Sequence, residues 1–370
     1  MRIVEFIDWL PPCHDGGDGI LAAAYCRELT RLGHDILVLT CRKASRGASR
    51  QTDAAILRAV TLPEEYTAEA ARAIAYADVF HAHQITNIEM LDLVSKTRDI
   101  PLVFHCHVDF VSYCADWTEP DFDVASYLHM QADMLSRASC VVCHSPRVKA
   151  SVIDQGFQEG HVHVLEPIID LKESRLGRAH ARGPWAVAIG GRLDDPAKRF
   201  DASLRAFEIA NRSLRGRLRL LIIGSVTENQ AATARKRLGS NVEITGWLPG
   251  RDAVSRALSR ASVFLSLSAT ESFGMMVLEA LVLGVIPVCT GAGQVSAFIQ
   301  AYQAGVLVGS VNRNDKEDLE RLAADALIWL LEDPRRTRSL SRSCVLAGQQ
   351  LRPYRSVAQL VEILRTYGRC

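Results

Sequence analysis

Two carboxylates eight residues apart frame the segment best equipped for chemistry, Thr270-Glu-Ser-Phe-Gly-Met-Met-Val-Leu-Glu-Ala280. It follows the apolar run Val263–Ser266 and opens an apolar helix, so a strand, a loop and a helix start must hold it. Ser272 can serve as N-cap. The amides near Gly274, Met275 and Met276 then stand at the positive end of the helix dipole, where a phosphate is favoured. Glu279 lies two turns into the helix among apolar residues. A carboxylate there is costly unless something donates hydrogen bonds to it, and sugar hydroxyls are suitable donors. A capping acid followed by a solvated helix glutamate would be written with the same residues, and the sequence alone keeps both readings open.

A second cluster, Gly190-Gly-Arg-Leu-Asp-Asp-Pro-Ala-Lys198, leaves a strand and turns at Pro196. Arg192 and Lys198 offer a fork-shaped guanidinium and a point-charge ammonium at that strand's carboxyl end, suited to a diphosphate. Solvated turn charges are the alternative. Gly17-Asp-Gly-Ile-Leu-Ala22 matches a dinucleotide fingerprint, and Arg42 with Lys43 would suit a 2′-phosphate. The glycines Gly16 and Gly17 nevertheless come about nine residues after the strand instead of directly after it, which argues against NADP.

Two histidine pairs, His81/His83 and His105/His107, end adjacent-looking strands. Residues i and i+2 share a face, so the four converge if the strands are neighbours. No acidic ligand is paired with them locally, so no metal is expected, and His107 is the one most suited to act on a substrate. Ten cysteines are scattered and mostly flanked by apolar residues, as buried free thiols are. Cys140 and Cys143 form a C-x-x-C inside a strand with no second such pair to complete a zinc site, so core packing is expected there.

The elements that must position these residues alternate between strand and helix. Strands are expected at Arg2–Ile7, Asp35–Thr40, Asp78–Ala82, Leu102–Cys106, Ser139–His144 and His161–Leu165, then at Trp185–Ile189, Arg217–Gly224, Val242–Thr245, Val263–Ser266, Val285–Cys289 and Gly305–Val308. Leu21, Tyr25, Leu29 and Leu32 form one helical stripe and Phe200, Leu204 and Phe207 another. Asp170–Pro184 has no apolar periodicity and reads as a linker between residues 1–172 and 184–354. The closing helix, 355–370, carries Val357, Leu360, Val361, Leu364 and Tyr367 on one face and must dock, with the first domain as one candidate. The expected fold class is α/β, two Rossmann-like doubly wound domains facing a cleft, with ligands beyond the carboxyl ends of the strands.

Of 370 residues, 43 are Lys or Arg and 42 Asp or Glu, a net charge of +1. That balance lacks the basic footprint of a nucleic-acid binder. No apolar run reaches the ~20 residues of a spanning helix, and the first residues read as a strand and not a signal peptide, so a cytoplasmic location with at most peripheral membrane contact is expected.

Taken in order, these segments resemble a retaining GT-B fold glycosyltransferase of family 4 (glycosyl transferases group 1). The resemblance is carried by the Gly16-Gly17 loop, Leu32–Thr40, Ala77-Asp-Val-Phe-His-Ala-His83, Pro101–His107, Gly191-Arg-Leu193 with Lys198, Val242-Glu-Ile-Thr-Gly-Trp-Leu-Pro249 and, above all, Glu271-Ser-Phe-Gly-Met-Met-Val-Leu-Glu279. It implies transfer of a hexosyl unit from a nucleotide-diphosphate sugar, UDP-sugar before GDP-sugar, to an acceptor hydroxyl with no metal and no other cofactor. Attack would come from the front face. Arg192 and Lys198 would neutralise the leaving diphosphate, aided by the Phe273–Met276 backbone and Gly16-Gly17. Glu279 would bind ribose hydroxyls and Glu271 the donor sugar, Trp247-Leu248 would border the base, and His107 would touch the sugar. The family usually places glycine where Arg199 stands.

Acceptor choice is expected in the first domain, where the acidic and aromatic stretch Asp109–Asp123 includes Asp109, Asp116 and Glu119. It would suit a polyhydroxylated or amino-bearing molecule or a cell-surface glycan precursor. A catalytically silent nucleotide-sugar-binding partner subunit and a nucleotide-sugar epimerase are the alternatives.

Overall fold

The computed structural model describes residues 1–7, 17–40, 58–61, 68–83, 92, 99–108, 111, 124–169, 186–248, 250–271, 273–293, 295–309 and 316–369. The chain divides into two compact units, Met1–Asp170 with Arg352–Cys370, and Leu171–Leu351. The linker expected over Asp170–Pro184 lies outside the described residues.

The strands of unit 1 are β1 (Arg2–Ile7), β2 (Asp35–Thr40), β3 (Arg58–Thr61), β4 (Val79–His83), β5 (Leu102–Cys106), β6 (Cys140–Cys143) and β7 (Val162–Val164). They form one parallel sheet in the order β3-β2-β1-β4-β5-β6-β7. Helices α1 (Gly17–Arg31), α2 (Ala68–Ala75), α3 (Val124–Arg137) and α4 (Pro146–Asp154) accompany it. β1, β4, β5 and β6 are almost wholly buried, so apolar residues occupy both faces, interrupted by Glu5, His81, His83 and His105.

Unit 2 repeats the plan with β8 (Ala186–Arg192), β9 (Arg219–Ser225), β10 (Val242–Ile244), β11 (Val263–Ser266), β12 (Ile286–Cys289) and β13 (Val306–Leu307). Their order is β10-β9-β8-β11-β12-β13, again all parallel. Its helices are α5 (Phe200–Ser213), α6 (Glu228–Leu238), α7 (Gly250–Leu258), α8 (Met275–Leu283), α9 (Val295–Tyr302), α10 (Lys316–Glu332) and α11 (Pro334–Gly348). The last helix, α12 (Pro353–Tyr367), belongs to unit 1 and packs on α1 and β5, with Val357, Leu360, Val361 and Leu364 buried.

Both units are Rossmann-like doubly wound sheets. In each, strand order reverses between the first strand and its out-of-sequence neighbour, β1 beside β4 and β8 beside β11, where the connections diverge and leave a crevice at the carboxyl ends.

Two local expectations are corrected. α1 ends at Arg31, so Leu32 falls past the helix and is exposed, whereas Leu21, Tyr25 and Leu29 form the buried stripe. The cap of α8 is Gly274, in the left-handed region, and not Ser272, which lies outside the described residues.

Candidate active site

In unit 2 the residues expected to do chemistry collect at the crevice between β8 and β11. β8 ends in Gly190-Gly191-Arg192. A Cβ on Gly190 would sit 2.6 Å from the flexible end of Met276 and 3.0 Å from the Ile223 carbonyl oxygen, so the missing side chain leaves room for both. Asp195 then caps the 3₁₀ turn Pro196–Lys198, its Oδ1 accepting from the Ala197 amide at 2.8 Å. The turn is tied to the strand beyond it, because Ala269 N donates to Ala197 O at 2.7 Å. Arg192 remains half exposed with Asp195 as its nearest carboxylate, 4.0 Å away.

Lys198 meets Glu271 across this junction, Nζ to Oε1, at 2.7 Å. Ser268 Oγ donates to the same carboxylate oxygen at 2.7 Å, and Thr290 Oγ1 holds Ser268 by donating to its carbonyl at 2.6 Å. Gly293 backs the loop: a Cβ there would lie 2.6 Å from Glu271 O. Glu271 is thus fixed from three sides, while Lys198 retains two further N–H donors for a ligand.

α8 starts at Met275 with no side-chain cap. The amides of Gly274, Met275 and Met276 have no acceptor within the helix, so they supply the anion-seeking donors expected of this terminus. Phe273 is buried beneath them. Glu279 is only 2% exposed. Its Oε1 pairs with the guanidinium of Arg251, at the start of α7, whereas its Oε2 is buried with no hydrogen-bond partner among the described residues. Glu279 is therefore not a solvated helix glutamate.

Arg251 and Ser268 are the members of this cluster that sequence reading missed. Arg251 stands two residues past the Trp247-Leu248-Pro249 turn, at a helix start, a position that points toward the carboxyl ends of the strands; the letters alone do not say which acid it meets. Trp247 is exposed and Leu248 half-buried.

Unit 1 assembles the histidines more completely than their spacing implied. Register pairs Glu5 with His81, and His83 with His105, so all face one side of the sheet. Glu5 accepts from both neighbours, with His81 Nδ1 3.1 Å from Oε1 and His83 Nε2 3.1 Å from Oε2. Burial alone would raise the Glu5 carboxyl, but His81 and His83 hold it at about 2. His81 Nε2 then lies 3.1 Å from His105 Nδ1, and His83 Nδ1 lies 2.8 Å from His107 Nε2. A fifth member, His144, joins from beyond β6, with Nδ1 2.9 Å from Leu165 O. Burial, reinforced by the neighbouring imidazoles, pushes His83 down to about 4 and His105 and His107 well below the usual histidine range. The acid that the sequence did not show beside these histidines is Glu5, supplied by the adjacent strand.

Gly17 opens α1, while Gly16 and the residues Asp109, Asp116 and Glu119 lie outside the described residues. Cys140 and Cys143 are free and buried, and burial pushes their thiols up to about 12 and about 11.

Two family models divide the chain between them: Glycosyltransferase Family 4 matches residues 16–173 and Glycosyl transferases group 1 matches residues 176–344. A D-inositol 3-phosphate glycosyltransferase from Saccharomonospora viridis is 27% identical over 316 residues, covering 78% of this chain and 70% of that protein. Among solved structures, Anabaena HepE in complex with UDP and glucose superposes with a TM-score of 0.71 at 15% identity, covering 99% of this chain and 100% of that one. Sucrose-phosphate synthase from Thermosynechococcus elongatus superposes with a TM-score of 0.74 at 18% identity, covering 98% of each. With both halves matched in chain order and both sheets wound as the GT-B fold requires, this chain belongs to the group 1, family 4 glycosyltransferases.

Proposed function

We propose that this glycosyltransferase takes a hexosyl unit from a UDP-sugar, with GDP-sugars next in preference, and passes it to an acceptor hydroxyl with retention of anomeric configuration. The observation that carries the donor assignment is Glu279. One carboxylate oxygen is paired with Arg251 and the other is buried with an empty hydrogen-bonding capacity that a vicinal diol would fill. The HepE structures hold UDP with glucose and UDP-glucose, which supports a uridine donor on this fold.

Leaving-group stabilisation carries the reaction in this reading. Arg192, Lys198 and the amides of Gly274, Met275 and Met276 are preorganised donors, aimed at the charge that develops on the diphosphate as the glycosidic bond breaks. Glu271, pinned by Lys198 and Ser268, accepts from sugar hydroxyls and so fixes the sugar over that anion. The departing phosphate removes the acceptor proton on the front face, so neither a protein nucleophile nor a metal at the diphosphate is required. Trp247 and Leu248 are assigned to the base, Gly16 and Gly17 to the phosphates and His107 to the donor sugar. Asp109, Asp116 and Glu119 are assigned to a small polyhydroxylated or amino-bearing acceptor, or to a glycan precursor.

Thermal denaturation in the presence of UDP-, GDP- and ADP-sugars tests the donor. A stabilisation by UDP-sugars that disappears in Glu279→Gln is the expected outcome. Retention is read from the anomeric proton of the product by NMR. An inverted product overturns the front-face step, and conversion of the nucleotide sugar without any acceptor points to epimerisation. Binding without transfer to any acceptor or to water points to a silent partner subunit.

A further inference from the structure

The histidine cluster of unit 1 is larger than substrate contact by one residue requires, and its hydrogen bonds fix where its protons lie. Glu5 accepts from His81 Nδ1 and from His83 Nε2, so each of these nitrogens carries a hydrogen. With one N–H on each ring, His81 Nε2 and His83 Nδ1 are left as acceptors. Each accepts from the next ring outward, His105 Nδ1 at 3.1 Å and His107 Nε2 at 2.8 Å. His105 Nε2 and His107 Nδ1 must then carry lone pairs. His144 reaches the same state by a separate route: its Nδ1 donates to Leu165 O at 2.9 Å, leaving Nε2 as the acceptor.

Three lone pairs are thus directed by one carboxylate, two intermediate histidines and one carbonyl. One ring nitrogen from each of His105, His107 and His144 lies within 4.8 Å of the other two, and all three side chains are buried. His105 Nε2 has no hydrogen-bond partner among the described residues. A divalent cation placed among the three rings accepts all three lone pairs at once, that of His105 Nε2 included. In the other close trio, His81 and His83 already spend both ring nitrogens on Glu5, His105 and His107.

We propose that His105, His107 and His144 form a zinc site at the carboxyl end of the unit 1 sheet, with Glu5, His81 and His83 as the groups that orient its ligands. Neutral imidazole suits zinc, and carboxylate–histidine relays are what usually set the tautomer of a metal-bound histidine. Zinc–nitrogen bonds of about 2.0–2.1 Å in a tetrahedral arrangement place ligand nitrogens roughly 3.4 Å apart, so the rings close in modestly on the ion. Three protein ligands leave a fourth coordination position open. The sequence reading set a metal aside because no acidic ligand is paired with the histidines locally; the acid is Glu5, on the neighbouring strand β1. In the occupied site both ring nitrogens of His107 are engaged, so its contact with a sugar is one of shape and not of proton transfer.

The test reads metal and not sugar transfer, so it stands or falls apart from the donor assignment. The full chain, purified without chelator, is expected to carry about one zinc per molecule by elemental analysis. After stripping, Co²⁺ titration is expected to give visible d–d bands without a sulfur-to-cobalt charge-transfer band, and added zinc to raise the melting temperature. His105→Phe and His144→Phe are expected to lose both responses, while His161→Phe, outside the cluster, keeps them. A wild-type chain that takes up neither zinc nor cobalt overturns the proposal, as does a sulfur band, which would put the metal on cysteine. Undiminished zinc in His105→Phe overturns it as well. Should the cluster variants not fold, the wild-type cobalt spectrum decides alone.

Discussion

At the scale of single residues, each acid of the active site is defined by its partner. Lys198 and Ser268 converge on one oxygen of Glu271, so Glu271→Gln keeps the shape but loses the charge that Lys198 answers. Transfer is expected to fall on the order of 10²-fold in kcat, a loss comparable to removing one preorganised catalytic donor, as steady-state kinetics will show. On the proposed reading Glu279→Gln acts differently, because a ribose bound there would be held equally before and during reaction. Donor KM is expected to rise roughly 10- to 100-fold with kcat little changed, as loss of a charged hydrogen bond predicts. The two glutamates were legible in the sequence because a carboxylate in an apolar helix demands an explanation. Arg251 was not, since an arginine at a helix start has many solvated equivalents, and only the packing of α7 beside α8 brings it to Glu279.

At the scale of elements, the turn between β8 and α5 carries the clearest local cost. Arg199 has φ +47°, in the left-handed region that suits glycine, and it joins the 3₁₀ turn bearing Lys198 to α5. Arg199→Gly is expected to stabilise unit 2 by about 0.5–1 kcal/mol in urea denaturation, the strain relieved less the greater flexibility of the unfolded chain. Gly224 is the opposite case. Its φ is +110° and a Cβ would stand 2.2 Å from Gly191 O, so Gly224→Ala forces β9 from β8 and is expected to cost more than about 2 kcal/mol by the same measurement. Strands of both sheets were readable because buried parallel strands are mostly apolar on both faces, Glu5 and the histidines being the exceptions. β3 was not: Arg58–Thr61 is a four-residue edge strand that pairs with β2 alone among the described residues, and its sequence shows no alternation. His144 escaped for a related reason. Spacing says which residues of one strand share a face, but only strand order says that β6 lies beside β5.

At the scale of the whole molecule, unit 1 is built from two stretches of chain separated by all of unit 2. Leu360 and Leu364 of α12 are fully buried, so Leu364→Ala is expected to destabilise unit 1 by about 2–5 kcal/mol. Hydrogen exchange should then quicken in β4 and β5 but not in β8 and β11. Another tie in the same region depends on pH. Asp78, before β4, accepts from the Arg2 backbone at 2.7 Å and from its guanidinium at 2.9 Å. Partial burial opposes the shift, but these bonds hold its carboxyl below the usual range. The stabilisation is therefore present above the unfolded pKa of about 3.9 and lost as pH falls through the lower folded value. Asp78→Asn is expected to lower the melting temperature slightly at pH 7 and hardly at all at pH 2, consistent with an exposed pair worth about 1 kcal/mol or less.

The interrupted course of unit 1 also sets an order of assembly. Everything unit 2 needs, through Leu351, is made before α12 exists, so on the ribosome residues 1–170 must wait with the α12-facing sides of α1 and β5 uncovered until residues 352–369 arrive. The half that begins first is the half that finishes last.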